Sequence, residues 1–160
     1  NVGYPMIIKE NKGSFGEQVY MVNNYYEAVE KIKNIGHHEF IMQEYVESSK
    51  GKDVRIHVVG GKVVTAMERV NENDFRANIT NGGSMKKYAP TKEQEEMAVK
   101  VCEKLKLDFA GVDIMFGKEG EPVLCEVNSN AHFKNIYDCT KVNVADEIMK
   151  FIKKDCKTDN

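Results

Sequence analysis

Three oxygen-bearing side chains in the C-terminal part of the sequence could together hold a cation. Asp113 lies in one apolar segment, and Glu126 and Asn128 end the next. Alternation along a strand puts Glu126 and Asn128 on one face, and the turn between the segments brings Asp113 beside them. Two carboxylates would repel each other there, whereas magnesium prefers a few oxygen ligands and completes its shell with phosphate oxygens. The set favours a magnesium site, and acids paired with lysines at a sheet edge are the alternative.

Two further groups of residues could bind phosphate. Lys9 ends an apolar segment and precedes a loop containing Gly13 and Gly16, whose backbone N–H groups could complete a cradle, although the spacing matches no P-loop. In a later polar loop, the guanidinium of Arg76 lies near the amide of Asn78, a pair suited to clamp a triphosphate or an acyl phosphate.

Arginines also occur inside predicted strands. For Arg55 and Arg69, pairing with carboxylates and binding an anion are about equally favoured readings.

The elements that must position these residues alternate between hairpins and helices. The predicted strands cover residues 6–9, 18–22, 40–42, 53–59, 62–70, 109–116 and 122–127, and the predicted helices cover 25–34, 91–105 and 144–154. Residues 71–84 are predicted to form a long loop, and long loops in compact domains are often functional. Because hairpins predominate without regular βαβ units, the pattern favours α+β with antiparallel sheets.

Bulk properties narrow the class of protein. The chain has 160 residues and a formal net charge of −2, which gives no reason to expect a nucleic-acid or membrane partner. No apolar run approaches the roughly 20 residues of a membrane-spanning helix, and we expect a cytoplasmic location. The four cysteines lack Cys-x-x-Cys spacing, which predicts reduced thiols. The first residues, Asn-Val-Gly-Tyr-Pro, are typical of a turn inside a longer protein, and we therefore expect further chain before them.

The order and spacing of the short motifs resemble those of ATP-grasp ligases, and in particular the RimK-type α-L-glutamate ligases, which add glutamate to the C-terminus of a small ribosomal protein. The resemblance covers nearly the whole chain. It is carried by Ile7-Ile8-Lys9, Gly13-Ser14-Phe15-Gly16, Gln43-Glu44-Tyr45-Val46, Asp53-Val54-Arg55, Phe75-Arg76-Ala77-Asn78, Ala110-Gly111-Val112-Asp113 and Glu126-Val127-Asn128.

The resemblance implies an ATP-grasp fold and a role for each matched residue. Residues 1–45 would form part of the small ATP-binding subdomain, and residues 46–160 would form the C-terminal subdomain with the metal site. Three groups of site residues are implied: nucleotide-binding Lys9, Ser14, Gln43, Glu44, Tyr45, Asp53, Arg76 and Asn78; catalytic Arg76, Asn78 and Arg55; and the Mg²⁺ ligands Asp113, Glu126 and Asn128, with Mn²⁺ as an alternative ion.

The implied activity is ATP-dependent carbon–nitrogen ligation through an acyl phosphate. One substrate would be a carboxylate and the other an amine, on an amino acid, a peptide or a protein C-terminus, and self-association of the protein is left open. A ligase for other partners and an inactive nucleotide-binding regulatory module are the alternatives. Glu17-Gln18 replaces a family glycine, and Ser129 is followed by Asn-Ala-His-Phe where the family has Pro-Gly. The second departure lies near the expected acceptor site.

Overall fold

The computed structural model describes residues 2–13 and 16–158. The chain divides into two compact units, the first ending at Glu47 and the second beginning at Ser48. Among the described residues, no helix has the length and apolar character needed to cross a membrane. All four cysteines are thiols outside any disulfide.

The first unit is an antiparallel sheet with one helix against it. The sheet has the order β2-β1-β3. Its elements are β1 (Met6–Glu10), β2 (Val19–Val22), α1 (Tyr25–Ile35) and β3 (Phe40–Glu44). Helix α1 begins at Asn24, whose side chain accepts a hydrogen bond from the Glu27 backbone N–H. Alternate residues of β1, Met6 and Ile8, are buried with Ala28 and Ile35 of α1, so one face of the sheet forms the core.

The second unit is built on a five-stranded antiparallel sheet of order β6-β5-β4-β7-β8. Its elements are β4 (Lys52–Val59), β5 (Lys62–Val70), β6 (Ser84–Lys87), α2 (Lys92–Leu105), β7 (Phe109–Phe116), β8 (Pro122–Asn128), α3 (Lys134–Thr140) and α4 (Val144–Thr158). Two 3-10 turns, Glu47–Ser49 and Ile79–Asn81, precede β4 and β6.

The two faces of this sheet differ in composition. On one face, Val54, Ile56 and Val112 pack with Ala98 and Cys102 of α2 in the main core. On the other face, Met67 of β5 packs with Ile136, Val144 and Ile148 of α3 and α4. This second face also carries the acidic and basic residues described below.

The predicted α+β class with antiparallel sheets is confirmed, and the predicted strands and helices are present with small shifts at their ends. One strand and one α-helix were missed, besides the two 3-10 turns. Residues 71–84 were predicted as one loop, but β6 begins at Ser84 and pairs with β5 as a short edge strand rich in lysine. Such strands lack an apolar alternation. Helix α3 was missed because it is only seven residues long and its N-cap residue, Phe133, makes no side-chain capping hydrogen bond.

Candidate active site

Acidic and basic residues on adjacent strands form one ion-pair network on the face that carries α3 and α4. Asp53 of β4 lies opposite Arg69 of β5, and Arg55 of β4 lies opposite Asp113 of β7. Arg55 donates from Nε to Oδ1 of Asp113 at 2.6 Å and from Nη2 to Oδ2 at 2.6 Å. Arg69 donates to both oxygens of Asp53, at 2.7 and 2.6 Å, and to Oδ2 of Asp113 at 2.9 Å. Arg69 thus bridges the two carboxylates.

Burial and these ion pairs set the charge of each group. Burial disfavours ionisation of Asp113, but Arg55 and Arg69 outweigh burial and lower its pKa to about 2. For Asp53, burial prevails over the attraction of Arg69, and its pKa is raised. Burial would lower the pKa of Arg69, but the two carboxylates raise it instead. The centre of the network is therefore a carboxylate held ionised by two guanidinium groups.

This network corrects one expectation. The favoured prediction for Asp113 was repulsion with Glu126 relieved by a metal ion, and pairing with lysines at a sheet edge was the alternative. The structure gives it two arginine partners from the neighbouring strands β4 and β5, distant in sequence but close in space. Pairing with carboxylates was left open for both arginines, but their assignment to Asp113 depends on strand register, which the sequence does not show.

The three predicted metal ligands are brought together at the edge of the network. Asp113 lies opposite Glu126 on β8, and Asn128 donates from Nδ2 to Oε1 of Glu126 at 3.1 Å. Among the described residues there is no cluster of three or more His, Cys, Asp and Glu side chains suited to a metal ion. Two carboxylates and an amide are instead an all-oxygen set too small to enclose an ion, which fits magnesium when phosphate oxygens supply the remaining ligands.

The predicted phosphate-contacting residues of the second unit lie in the loop between β5 and β6. Arg76 donates from Nη2 to Oδ2 of Asp74 at 2.7 Å and from Nε to Oδ1 at 3.0 Å. Its side chain remains 25% exposed, so an anion could still reach the guanidinium. Asn78 is half-buried, and its side chain makes no capping hydrogen bond to the 3-10 turn that follows.

The remaining predicted nucleotide residues lie in the first unit, on both faces of its sheet. Lys9 lies opposite Ile41, and Gln43 lies opposite Ile7, so Lys9 and Gln43 share the face away from α1. Glu44 is exposed, and it lies opposite the core residue Met6, which puts its side chain on the other face.

Two further predicted residues complete the set. Tyr45 is half-buried just after β3, and burial raises its pKa. Ser14 lies outside the described residues.

Sequence reasoning missed three residues of the candidate site. Arg69 was weighed only as a strand arginine, and its partner Asp53 could not be paired with it without knowing the register. Asp74 lies two residues before Arg76, a spacing that could have suggested the ion pair. His57 follows the alternation of β4 onto the charged face, where it is 1% exposed and its Nε2 has no hydrogen-bond partner among the described residues.

Comparison with solved structures shows which fold this protein has. The structure resembles the ATP-grasp ligase PsnB in complex with a phosphomimetic variant of minimal precursor, Mg and ADP, with a TM-score of 0.71, 19% identity and coverage of 93% of this chain and 45% of that chain. It also resembles a D-alanine–D-alanine ligase from Bacillus anthracis complexed with ATP, with a TM-score of 0.71, 16% identity and coverage of 99% and 56%. The second unit and the first together therefore have the elements of an ATP-grasp fold.

Sequence comparison is more specific. A probable alpha-L-glutamate ligase from Syntrophotalea carbinolica is 38% identical over 159 residues, which are 97% of this chain and 52% of that protein. The chain spans about half the length of the curated relatives it matches. The family model of the RimK-like ATP-grasp domain matches residues 1–152. The chain therefore belongs to the RimK-like ATP-grasp domain family.

Proposed function

We propose that this chain forms the catalytic part of an ATP-dependent carbon–nitrogen ligase that joins a carboxylate to an amine. The observation that carries the proposal is the row of Arg55, Asp113 and Glu126 across three adjacent strands, with Asn128 two residues beyond Glu126 on β8. It sets positive charge and oxygen ligands side by side, as binding of a metal-bound phosphate requires. An inactive regulatory module would have no chemical need for both halves of this row.

Magnesium is the ion that the oxygen donor set fits best. Asp113, Glu126 and Asn128 would hold it, and it would act as a Lewis acid that neutralises phosphate oxygens. Both oxygens of Asp113 accept hydrogen bonds from arginines, so the network fixes the orientation of this carboxylate. That fixed orientation is what a preorganised ligand requires. We propose that Arg55 and Arg69 set Asp113 in place.

The proposed reaction needs no nucleophile from the protein. A carboxylate oxygen of one substrate attacks the γ-phosphorus of ATP, and ADP leaves. The amine of the second substrate then attacks the carbonyl carbon of this acyl phosphate, and phosphate leaves while the amine loses a proton. The residues of the chain act by position and charge. Arg76 and Asn78 would contact the transferring phosphate, Arg55 would support it through Asp113, and Lys9, Gln43, Glu44, Tyr45 and Asp53 would bind nucleotide.

The substrates are inferred from relatives. Curated relatives are called probable alpha-L-glutamate ligases, and this supports glutamate as the amino acid added to a protein, peptide or small-molecule acceptor. We propose that residues 129–133 help to choose the acceptor, because they directly follow Asn128 and their sequence departs from the family pattern. Ala131 of this segment is buried and Phe133 lies 6.4 Å from the ring of His57, so the segment is packed on the charged face. A cytoplasmic location stays a prediction.

Isotope transfer in the intact protein tests the proposal. The protein is incubated with ATP, magnesium and each of the amino acids, together with a candidate acceptor whose carboxylate carries ¹⁸O. Ligation through an acyl phosphate moves one ¹⁸O atom from the carboxylate into the released phosphate, and mass spectrometry detects both this phosphate and the extended acceptor. ATP hydrolysis without a ligated product for any amine would contradict the proposal, and phosphate without ¹⁸O would reject the acyl phosphate.

A further inference from the structure

Backbone hydrogen bonds tie Gly51 to the loop that carries Arg76. We infer that Gly51 is a positioning residue that sets the place of Arg76. The inference rests on the proposed function, in which Arg76 contacts the transferring phosphate. Gly51 was not among the predicted site residues, and it makes no contact with a substrate in the proposed reaction.

Gly51 makes two backbone hydrogen bonds to the loop. Its N–H donates to the carbonyl oxygen of Phe75 at 2.8 Å, and its own carbonyl oxygen accepts from the N–H of Asn71 at 2.7 Å. The two bonds hold both ends of the segment 71–75, which leads directly into Arg76. The place where the loop leaves β5 and the place where Arg76 begins are therefore fixed by the same residue.

Only glycine fits at position 51. Its φ is +63°, a left-handed conformation that residues with a Cβ seldom adopt. A Cβ atom there would lie 2.1 Å from the carbonyl oxygen of Asn71 and 2.7 Å from that of Asp74. These are backbone atoms of the loop itself, so they cannot move aside by a change of rotamer. A side chain at Gly51 would have to push the loop away.

The turn that presents Gly51 is itself anchored. Ser49 is buried, and its Oγ accepts a hydrogen bond from the N–H of Phe116 at 3.0 Å and donates to the carbonyl oxygen of Lys52. Ser48 donates from Oγ to the carbonyl oxygen of Phe116 at 2.8 Å. Phe116 ends β7, three residues after Asp113. The turn, and through Gly51 the loop, is thus tied to the strand that carries the proposed metal ligand.

The last connection runs from the loop to the guanidinium. Oδ1 of Asp74 accepts from the backbone N–H of Arg76 at 2.9 Å, and both Asp74 oxygens accept from its guanidinium. Arg76 in turn holds the pKa of Asp74 below its usual value, so the pair remains charged. Displacing Asp74 by pushing on its carbonyl oxygen would therefore displace Arg76 as well.

The chain contains a matched control. Gly61, in the hairpin between β4 and β5, also has a positive φ of +70°, but a Cβ there would meet nothing within 4 Å. Gly61→Ala therefore imposes a similar backbone strain without any clash. The comparison of Gly51→Ala with Gly61→Ala isolates the displacement of the loop.

The test is a double-mutant cycle in the intact protein, with ATP-dependent ligation as the readout. Gly51→Ala should lower kcat by about 100-fold, the order of loss expected when a catalytic group is misplaced by an ångström. Because it acts through Arg76, adding Gly51→Ala to Arg76→Gln should lower kcat by less than about twofold further. Gly61→Ala should leave kcat near that of the parent protein. Losses that multiply in the Gly51 and Arg76 double variant would overturn the inference.

A second measurement separates this inference from the proposed function. Hydrogen exchange should become faster in segment 71–77 of Gly51→Ala and stay unchanged there in Gly61→Ala, whether or not the protein ligates anything. Unchanged exchange in Gly51→Ala would overturn the positioning role. If exchange is faster in Gly51→Ala but the parent protein has no ligase activity, only the proposed function is overturned. Should Gly51→Ala fail to fold, Ser49→Ala releases the same turn without adding atoms. The same cycle with Arg76→Gln then applies, and multiplied losses would again count against the inference.

Discussion

Asp113 lies directly opposite Glu126 because the pairing of β7 with β8 shifts by one residue beside it. From the turn inward, Phe116 pairs with Pro122 and Ile114 pairs with Leu124, and the same register continued would place Cys125 opposite Asp113. A bulge inserts one residue into one strand and returns the ladder to register beyond it. Here it brings the two predicted carboxylate ligands side by side.

A second bulge does the same for the ion pair of β4 and β5. Val59 pairs with Lys62 and Val58 with Val63, and the unbroken register would continue to set Asp53 opposite Glu68. The shift between His57 and Val58 instead sets Asp53 opposite Arg69. One inserted residue thus replaces a repulsive pair of acids by an ion pair that extends to Asp113.

The two carboxylates of the proposed metal site should respond differently to loss of charge. Asp113→Asn removes the partner of two largely buried arginines, and we expect the free energy of unfolding to fall by roughly 3–5 kcal/mol, as for other broken buried ion pairs. Glu126 is half-buried, and Glu126→Gln should change stability by less than about 1 kcal/mol. Both variants should lose turnover by about 100-fold or more, since a metal contact contributes several kcal/mol.

Urea unfolding in the presence of a chelator measures the stability difference, and ATP-dependent ligation across a magnesium titration measures turnover. Glu96→Gln is a suitable control, because Glu96 is a 66% exposed residue of α2, which packs on the sheet face opposite the network. Near-normal turnover of Glu126→Gln would remove the metal assignment. Equal stability of Asp113→Asn and the parent protein would show that the arginines do not depend on this carboxylate.

Arg69 should be as important to stability as Asp113. Arg69→Lys keeps the charge, but an ammonium group cannot make the two-pronged contact with Asp53 and reach Asp113 as well. We expect the free energy of unfolding to fall by about 3 kcal/mol, because Asp53 and Asp113 would then repel each other across a buried face. Denaturant unfolding of Arg69→Lys beside the exposed control Lys100→Arg tests this. A loss equal to that of the control would contradict the bridging role.

Sequence reasoning reached the elements and the residue types of the site, but not the pairs they form. Alternation along β7 and β8 was enough to put Asp113, Glu126 and Asn128 on neighbouring strands. The partners of Asp113 depend on register across the sheet, and two single-residue bulges decide that register without any mark in the sequence. The proposed positioning of Arg76 by Gly51 likewise depends on backbone hydrogen bonds between segments that are distant in the sequence.

His57 should make stability fall in mild acid. Burial lowers its pKa from 6.5 to about 4, with a further contribution from Arg55 that Asp113 opposes. The unfolded chain therefore binds a proton that the folded protein does not, between about pH 6.5 and pH 4. The free energy of unfolding is therefore unaffected by His57 above the pKa of 6.5 of the unfolded chain. It falls by up to roughly 3 kcal/mol as pH falls towards the pKa of about 4 in the folded protein.

Replacement of this residue should remove that pH dependence. In His57→Leu, the part of the slope due to His57 should vanish, and stability near neutral pH should equal or exceed that of the parent, since Nε2 is buried without a partner among the described residues. Urea unfolding at a series of pH values measures both. His37→Gln, at an exposed histidine, is the control and should keep the slope. An unchanged slope in His57→Leu would show that folding does not lower the pKa of this histidine.

The last prediction concerns which residues of β1 and β3 reach a nucleotide by their side chains. Lys9 and Gln43 share the sheet face away from α1, whereas Glu44 has its side chain on the opposite face. A ligand that meets Lys9 can meet Gln43 by its side chain, but it can meet Glu44 only through backbone atoms. Lys9→Ala and Gln43→Ala should therefore weaken ATP binding, Lys9→Ala by roughly 10-fold for the loss of one charge-assisted hydrogen bond. Glu44→Ala should leave the affinity for ATP within about twofold of that of the parent, since truncation of the side chain leaves the backbone groups of residue 44 in place.

Calorimetric titration of the intact protein with a non-hydrolysable ATP analogue and magnesium compares the three variants. Loss of affinity in Glu44→Ala equal to that in Lys9→Ala would mean that the nucleotide contacts the helix-facing side of this sheet.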